Sequence, residues 1–288
     1  MIVKKITPRG FCKGVHNAIQ IVKTALENES LPRPIYVLGM IVHNRHIVEE
    51  LTKLGAITLD DMFKDRTDLV KDIKKGTIIL SAHGTKAAVK QIIRENNLTL
   101  IDATCDDVYK TQELIEEYLK KDYSVIYIGK KNHPETNAAI GIGENIFLVE
   151  NELDLENLKF DKPIFVTNQT TFSLNDILPI QNRIKEIWPE AIITEEICSA
   201  TRMRQNAIIE GNKDVDLCYI VGDPRSNNSK NLVKISQDLT NTKTFLIQSV
   251  SEINPEDLRN VKVVSVSSGA STPNYLTKAV IEFLENYH

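Results

Sequence analysis

Short runs of consecutive apolar residues alternate along this chain with longer stretches whose apolar positions recur every three or four residues. The runs 35–38, 77–80, 124–128, 164–167, 217–221 and 261–266 read as strands. The periodic stretches, of which Val15, Ala18, Ile19, Val22, Ala25 and Leu26 are the first, read as helices with one buried stripe. Strand and helix alternate throughout, which predicts an α/β fold with parallel sheets.

The order also repeats. Strand 35–38 ends in Gly39, and His43 follows four residues on, opening a helical stretch to 54. Apolar 56–59, a polar connection, strand 77–80 running into Ser81-Ala82-His83-Gly84, helix 86–95 and strand 98–103 then lead to Cys105. In the second passage strand 124–128 ends in Gly129, His133 follows four residues on, and helix 134–142 and strand 146–149 come next. A polar connection, strand 164–167 running into Asn168-Gln169-Thr170-Thr171, helix 174–187 and strand 191–197 lead to Cys198. The third passage has strand 217–221 with Gly222, Ser226 four residues on, helix 232–239, strand 244–247, and strand 261–266 running into Ser267-Ser268-Gly269-Ala270-Ser271. It closes with helix 274–287 and lacks a strand leading to a cysteine. Residues 1–7, which lead to Cys12, supply one. The expected architecture is three similar open α/β units, 12–104, 105–197 and 198–288 plus 1–11, in a pseudo-threefold arrangement, the third closed by the N-terminal strand.

Composition narrows the setting. With 288 residues, 42% hydrophobic and 26% charged, the chain has ample material for a core. A formal net charge of −4 gives no ground for non-specific binding to nucleic acid or to an anionic membrane. No apolar run reaches the length of a membrane span and no basic-then-apolar leader precedes the first motif, so the expected location is cytoplasmic. Four cysteines in such a chain do not make a disulfide framework. Cys218, inside an apolar run, reads as a buried thiol. Cys12, Cys105 and Cys198 lie 93 and 93 residues apart, each between a strand pattern and a helical one, and that shared position sets them apart.

Ligands of open α/β units bind beyond the carboxyl ends of strands, where these cysteines and loops fall. A helix start favours a thiolate. A structural zinc site wants four ligands, usually in close sequence pairs, which these cysteines do not form. A four-iron cluster normally takes four cysteines; with three, one iron keeps an open position and can act as a Lewis acid, so catalytic use is expected. His43, His83, Ser226, Asn228 and Ser271 are groups of the kind that hold phosphate oxygens. Glu135, in His133-Pro134-Glu135, is a candidate proton donor, since a buried carboxyl titrates nearer neutrality. His16 and His46 on helices and the terminal His288 read as ordinary residues, and Glu144 and Glu150 as surface charge.

Together these residues resemble the 4-hydroxy-3-methylbut-2-enyl diphosphate reductases, the LytB-type enzymes that end the non-mevalonate isoprenoid route. The resemblance rests on Pro8-Arg9-Gly10-Phe11-Cys12, Val42-His43-Asn44-Arg45, Ser81-Ala82-His83-Gly84, Asp102-Ala103-Thr104-Cys105, His133-Pro134-Glu135, Gln169-Thr170-Thr171, Cys198 through Arg204-Gln205, Ser226 to Ser229, and Gly269-Ala270-Ser271. It implies three units around a [4Fe-4S] cluster held by Cys12, Cys105 and Cys198, whose open iron would bind the substrate hydroxyl. It also implies that His43, His83, Ser226, Asn228 and Ser271, with Asn227 beside them, grip the diphosphate. Thr170 and Glu135 would lie near the hydroxyl, with His133 beside Glu135. The implied reaction is a reductive dehydroxylation giving isopentenyl and dimethylallyl diphosphate, with ferredoxin or flavodoxin as electron donor.

The chain departs from the family pattern at Asp106 (usually proline), Gln112 (commonly histidine), Ala138 (usually glycine), Asn227 (usually serine) and Asn274 (commonly aspartate). None of these removes a cysteine or the acid. Another three-cysteine iron–sulfur enzyme of the quinolinate-synthase-like dehydratase type would share the cysteines but not the His-Pro-Glu and Gln-Thr-Thr pairing. A non-enzymatic iron–sulfur sensor or decayed paralogue would have no need of an intact Glu135.

Overall fold

The structure, a computed structural model, describes residues 1–61 and 63–287; His288 lies outside them. In chain order, β1 (Ile2–Lys5) and α1 (Lys13–Glu27) come first. The first passage is then β2 (Ile35–Leu38), α2 (Arg45–Lys53), β3 (Ile57–Leu59), α3 (Arg66–Val70), β4 (Thr77–Leu80), α4 (Ala87–Glu95) and β5 (Thr99–Asp102). The second is α5 (Asp106–Lys120), β6 (Ser124–Ile128), α6 (Pro134–Ile140), β7 (Ile146–Val149), β8 (Ile164–Asn168), α7 (Leu174–Ile187) and β9 (Ile192–Ile193). The third is α8 (Ser199–Gly211), β10 (Leu217–Val221), α9 (Asn227–Thr240), β11 (Lys243–Ile247), β12 (Val263–Ser268) and α10 (Asn274–Glu285).

These strands form three four-stranded sheets in the orders β3-β2-β4-β5, β7-β6-β8-β9 and β11-β10-β12-β1. Every pairing is parallel. The three orders correspond rank for rank. The edge position held by β5 and β9 is held in the third sheet by β1, drawn from the opposite end of the chain, with Ile2 opposite Val263 and Lys5 opposite Val266. The N-terminal strand therefore completes the third sheet, as the repeat requires.

Two compact units contain these sheets. One comprises Met1–Val15, His43–Ile47 and Cys198–His288 and holds the β11-β10-β12-β1 sheet; the other comprises His16–Val42 and Val48–Ile197 and holds the other two. The central strands are covered on both faces, which is why their apolar runs do not alternate with polar residues. Leu217, Tyr219 and Val221 of β10 pack with Val280, Ile281 and Leu284 of α10, while Cys218 and Ile220 face Ile208, Leu232 and Ile235 of α8 and α9. In β6, Ile126 and Ile128 meet Ile177, Ile180 and Ile184 of α7, and Val125 and Tyr127 meet Ile115 of α5. Fully burying one such side chain contributes roughly 1.5–3 kcal/mol. Cys218 is fully buried, and burial raises its thiol pKa.

The elements differ from the sequence pattern in a few places, each with a local cause. In the helices after Cys105 and Cys198 the periodic pattern is read from Val108 and Met203, but α5 and α8 begin at Asp106 and Ser199, because the cysteines are themselves the cap residues. Helix α9 begins at Asn227, since the Ser226 hydroxyl caps it through the Ser229 N–H at 3.2 Å; its polar first turn hid the start. Strand β9 is only two residues long. Beyond it the Thr194 N–H still reaches the Val166 carbonyl at 2.9 Å, but the Glu196 N–H bonds the Asn168 side chain at 3.1 Å, and regular pairing stops there. The polar connection after β3 contains α3, which is capped by the Asp65 carboxylate on the Thr67 N–H.

Candidate active site

The central strands turn polar at their carboxyl ends while staying buried. Ser81 after β4, Asn168 and Gln169 at the end of β8, and Ser267 and Ser268 of β12 are each no more than 1% exposed. Buried polar groups need partners, and here the partners are the loops that carry the candidate residues.

In the unit that holds both termini, a chain of hydrogen bonds joins five of them. Cys198, half-buried at the cap of α8, has its sulfur 3.1 Å from the Thr201 hydroxyl. Thr201 accepts from the Asn228 amide at 3.4 Å, and the Asn228 carbonyl oxygen accepts the Ala270 N–H at 2.9 Å. The next residue, Ser271, donates its hydroxyl to the His43 carbonyl at 2.9 Å. Two residues beyond His43, the Arg45 N–H donates to the Asp223 carboxylate at 2.9 Å; the Asp223 carbonyl in turn accepts the Ser226 N–H, also at 2.9 Å. Ser226, Asn228 and Ser271 are buried and Asn227, the first residue of α9, is half-buried.

Cys12 enters the same unit from the opposite end of the chain. Its N–H bonds the Ala270 carbonyl at 3.1 Å, and its sulfur accepts the Val15 N–H at 3.4 Å, as expected of the residue directly before a helix. The approach to it depends on Gly10, whose φ is +78° and at which an added Cβ would lie 1.8 Å from Asn274 Oδ1. Only glycine fits there. Arg204 holds the Gly10 carbonyl at 2.6 Å and the Ala200 carbonyl at 3.1 Å. Burial lowers the pKa of its guanidinium, and the charges of Cys12 and Cys198 oppose that shift.

In the other unit, Glu135 is 3% exposed and accepts the Thr170 N–H at 2.7 Å. Burial raises its carboxyl from 4.5 to about 7, against the pull of hydrogen bonds from the Thr170 N–H and hydroxyl, with Asp107 adding to the rise. His133 caps α6 with its own ring: Nδ1 accepts the Glu135 N–H at 3.2 Å and lies 3.1 Å from the Gln169 amide nitrogen. Two N–H donors at Nδ1 put the proton of the neutral ring on Nε2, leaving that nitrogen as a donor. Gln169 also bonds the Thr171 hydroxyl at 3.0 Å and the Lys130 N–H at 3.0 Å, tying the loop after β8 to the loop after β6.

His83 meets the His133 ring edge-on, with centroids 5.6 Å apart. Its loop is joined to Cys105, whose N–H donates to the Ala82 carbonyl at 3.0 Å. Cys105 is half-buried, and the residues before it are latched by Asp102, which accepts from the Thr104 N–H at 3.0 Å, the Thr104 hydroxyl at 2.5 Å and Tyr109. Lys90 completes that latch at 2.9 Å from Asp102.

The sequence profile described as LytB protein matches residues 3–285. The chain belongs to the LytB protein family. A LytB relative from Symbiobacterium thermophilum, named 4-hydroxy-3-methylbut-2-enyl diphosphate reductase, is 50% identical over 291 residues, covering 100% of this chain and 98% of that one. A protein of the same name from Bacillus subtilis is 47% identical over 289 residues, covering 100% of this chain and 91% of its own length. The solved structure of the E-1-hydroxy-2-methyl-but-2-enyl-4-diphosphate reductase from Plasmodium falciparum is similar, with a TM-score of 0.91, 34% identity, and coverage of 99% of this chain and 88% of that one. A second solved structure, of (E)-4-hydroxy-3-methyl-but-2-enyl diphosphate reductase, gives a TM-score of 0.68 at 28% identity with both chains fully covered.

The donor set of this LytB chain fits an iron–sulfur group. Cys12, Cys105 and Cys198 are half-buried thiols, and each directly precedes a helix. A buried guanidinium, Arg204, faces the charge of two of them, an arrangement complementary to sulfur that carries negative charge. Two further groups in these networks, Asp223 and Arg66, carry no signal in the sequence, and Arg204, part of the motif that begins at Cys198, shows there no sign of its role. Asp223 and Arg204 act through contacts with residues far along the chain. Arg66 of α3 donates to the Gly84 carbonyl and the Ser81 hydroxyl from within a segment that reads as a plain polar connection. Of the departures, Gln112 packs against Gly84, where an added Cβ would meet its amide at 2.6 Å, with the Ala138 methyl at 3.6 Å. Asp106 opens α5, where an acidic side chain complements the helix dipole.

Proposed function

We propose that this chain is a 4-hydroxy-3-methylbut-2-enyl diphosphate reductase, converting that allylic alcohol diphosphate to isopentenyl and dimethylallyl diphosphate. Two electrons and two protons cleave the carbon–oxygen bond; one proton leaves with the hydroxyl as water and the other ends on the hydrocarbon. The observation that carries the reading is Glu135, a buried carboxyl poised to titrate at about pH 7, held by Thr170 and adjoining the His133 ring.

Cys12, Cys105 and Cys198 would hold a [4Fe-4S] cluster, which when bound would relay electrons from the donor and offer a Lewis-acidic iron. Their equivalent positions, each before a helix and after the matching edge strand of its sheet, support that assignment and the division into units 12–104, 105–197 and 198–288 plus 1–11. Glu135 in its protonated form delivers a proton, and the Thr170 N–H and hydroxyl keep its carboxyl oriented. His133 offers its Nε2 proton as a hydrogen-bond donor. Ser226, Asn227, Asn228 and Ser271 with His43, and His83 in the other unit, take the diphosphate; their hydroxyl, amide and imidazole groups suit phosphate oxygens. Ferredoxin or flavodoxin supplies the electrons, in the cytoplasm.

The test is anaerobic purification with iron and sulfide analysis, followed by assay with the hydroxylated allylic diphosphate and a reduced dye. A brown protein with substrate-dependent oxidation of the dye is expected. A colourless, iron-free protein would overturn the cluster, and a fully loaded protein without turnover would favour a sensor or paralogue.

A further inference from the structure

Arg66, the first residue of α3, reaches the loop that carries His83 and holds it at both ends. One terminal nitrogen donates to the Gly84 carbonyl at 2.6 Å and the other to the Ser81 hydroxyl at 3.1 Å. Ser81 is fully buried. The same guanidinium lies over Gly39, where an added Cβ would stand 2.6 Å from it, so Arg66 also abuts the turn after β2. The two turns are joined directly, because the Ala82 N–H donates to the Ile41 carbonyl at 3.1 Å. Asp65 repeats the grip one residue earlier by pairing with Lys86 at 2.6 Å, just past Gly84. The cap residue and the first residue of a short helix thus clamp residues 81–86.

We infer that Arg66 is a positioning residue for diphosphate recognition, fixing the His83 loop through its planar fork and adding its positive charge beside that loop. This rests on His83 being a diphosphate ligand, as proposed above. The fork geometry matters because a guanidinium can bind two acceptors at fixed spacing, which an ammonium cannot. Its charge matters because a partly buried cation is screened less than an exposed one. The Ala82 carbonyl between these anchors also receives the Cys105 N–H, so the Arg66 clamp bears on that cysteine's backbone as well.

The test uses the iron-loaded full chain, with inorganic pyrophosphate as the calorimetric probe and the allylic diphosphate as substrate. Arg66→Met is expected to weaken pyrophosphate binding and raise KM by roughly tenfold or more, with kcat at saturation within about threefold of wild type. Arg66→Lys, which keeps the charge but not the fork, is expected to fall between the two. Should Arg66→Met fail to fold, Ser81→Ala removes one anchor alone and is expected to weaken pyrophosphate by about threefold to tenfold. Unchanged pyrophosphate affinity in both Arg66→Lys and Ser81→Ala overturns the inference, as does a fall in kcat with KM unmoved. A wild-type protein that binds no pyrophosphate would instead defeat the diphosphate reading on which it rests.

Discussion

The backbone N–H of Thr170 meets the carboxylate of Glu135 at 2.7 Å, inside a site where Glu135 is 3% exposed. Two opposing effects meet on that carboxyl. Burial disfavours its charged form, and the Thr170 donors favour it, with burial the stronger. The result is an acid that holds its proton to about pH 7.

Glu135→Gln keeps the shape and an acceptor for the Thr170 N–H but has no proton to give. It is expected to retain iron and bind pyrophosphate as the wild type does, while kcat falls by about 10²–10⁴-fold, the usual range for a general acid. Iron analysis, calorimetry and the reduced-dye assay measure the three quantities separately. Turnover within a few-fold of wild type would remove Glu135 from the proton path.

The same carboxyl makes stability depend on pH. Below pH 4.5 the group is protonated in folded and unfolded chains alike, and its raised pKa costs nothing. Between pH 4.5 and about 7 the unfolded chain ionises while the folded one keeps its proton, so stability falls as pH rises. The cost levels off above pH 7 at roughly 3 kcal/mol. Glu135→Gln lacks this titration. Its stability relative to wild type should therefore rise between pH 4.5 and 8 by about that amount, read from denaturant midpoints at a series of pH values. A difference that stays flat with pH would mean that the carboxyl is not held protonated.

Much of this arrangement was legible in the sequence. The equal spacing of Cys12, Cys105 and Cys198 located three helix starts, and the apolar runs located the central strands. The missing strand before Cys12 predicted that β1 would close the third sheet, as its parallel pairing with β12 does. What stayed hidden depends on contacts between residues distant in the chain. Asp223 reads as an ordinary loop acid until the fold brings the Arg45 N–H to it from 178 residues away. Arg66 sits in a five-residue helix too short to show a period, and Arg204, though within a recognised motif, gives no sign of its burial or of its reach to Gly10, because the apolar stripe of its helix is weak.

Asp223 carries its own prediction. Asp223 is 4% exposed, and its carboxylate accepts the Arg45 N–H at 2.9 Å and the Arg225 N–H at 2.8 Å, so it fixes the chain just after His43 and just before Ser226. Asp223→Ala leaves both part-buried amide donors without their partner, at a cost of about 1 kcal/mol for each. The expected phenotype is a lowered denaturation midpoint together with a raised KM, because the loops bearing two diphosphate candidates loosen at once. The Arg45 and Arg225 N–H groups use different carboxylate oxygens, so Asp223→Asn keeps one acceptor of the two and should recover only part of the stability. An alanine variant that is destabilised but has unchanged KM would separate the loop network from substrate binding.

The N-terminal strand gives the widest test of the architecture. Residues 2–5 pair with β12, and the Ile6 N–H extends the ladder to the Val266 carbonyl at 2.9 Å. Ile6 is 6% exposed and packs with Ile208, Ile220 and Leu232, close enough to Gly211 that an added Cβ there would strike it at 2.7 Å. Removing residues 1–7 would bare the edge of β12, empty the Ile6 position at a cost of about 2–5 kcal/mol, and leave Cys12 without the strand that delivers it. The truncated protein should lose iron on desalting and unfold at lower temperature, both measured on the same preparation. Ile6→Ala, which keeps the strand and removes only the packing, should show the lower midpoint but hold more iron than the truncation. If the truncated chain holds iron and unfolds as the full one does, β1 is dispensable and closure of the third sheet does not govern the position of Cys12.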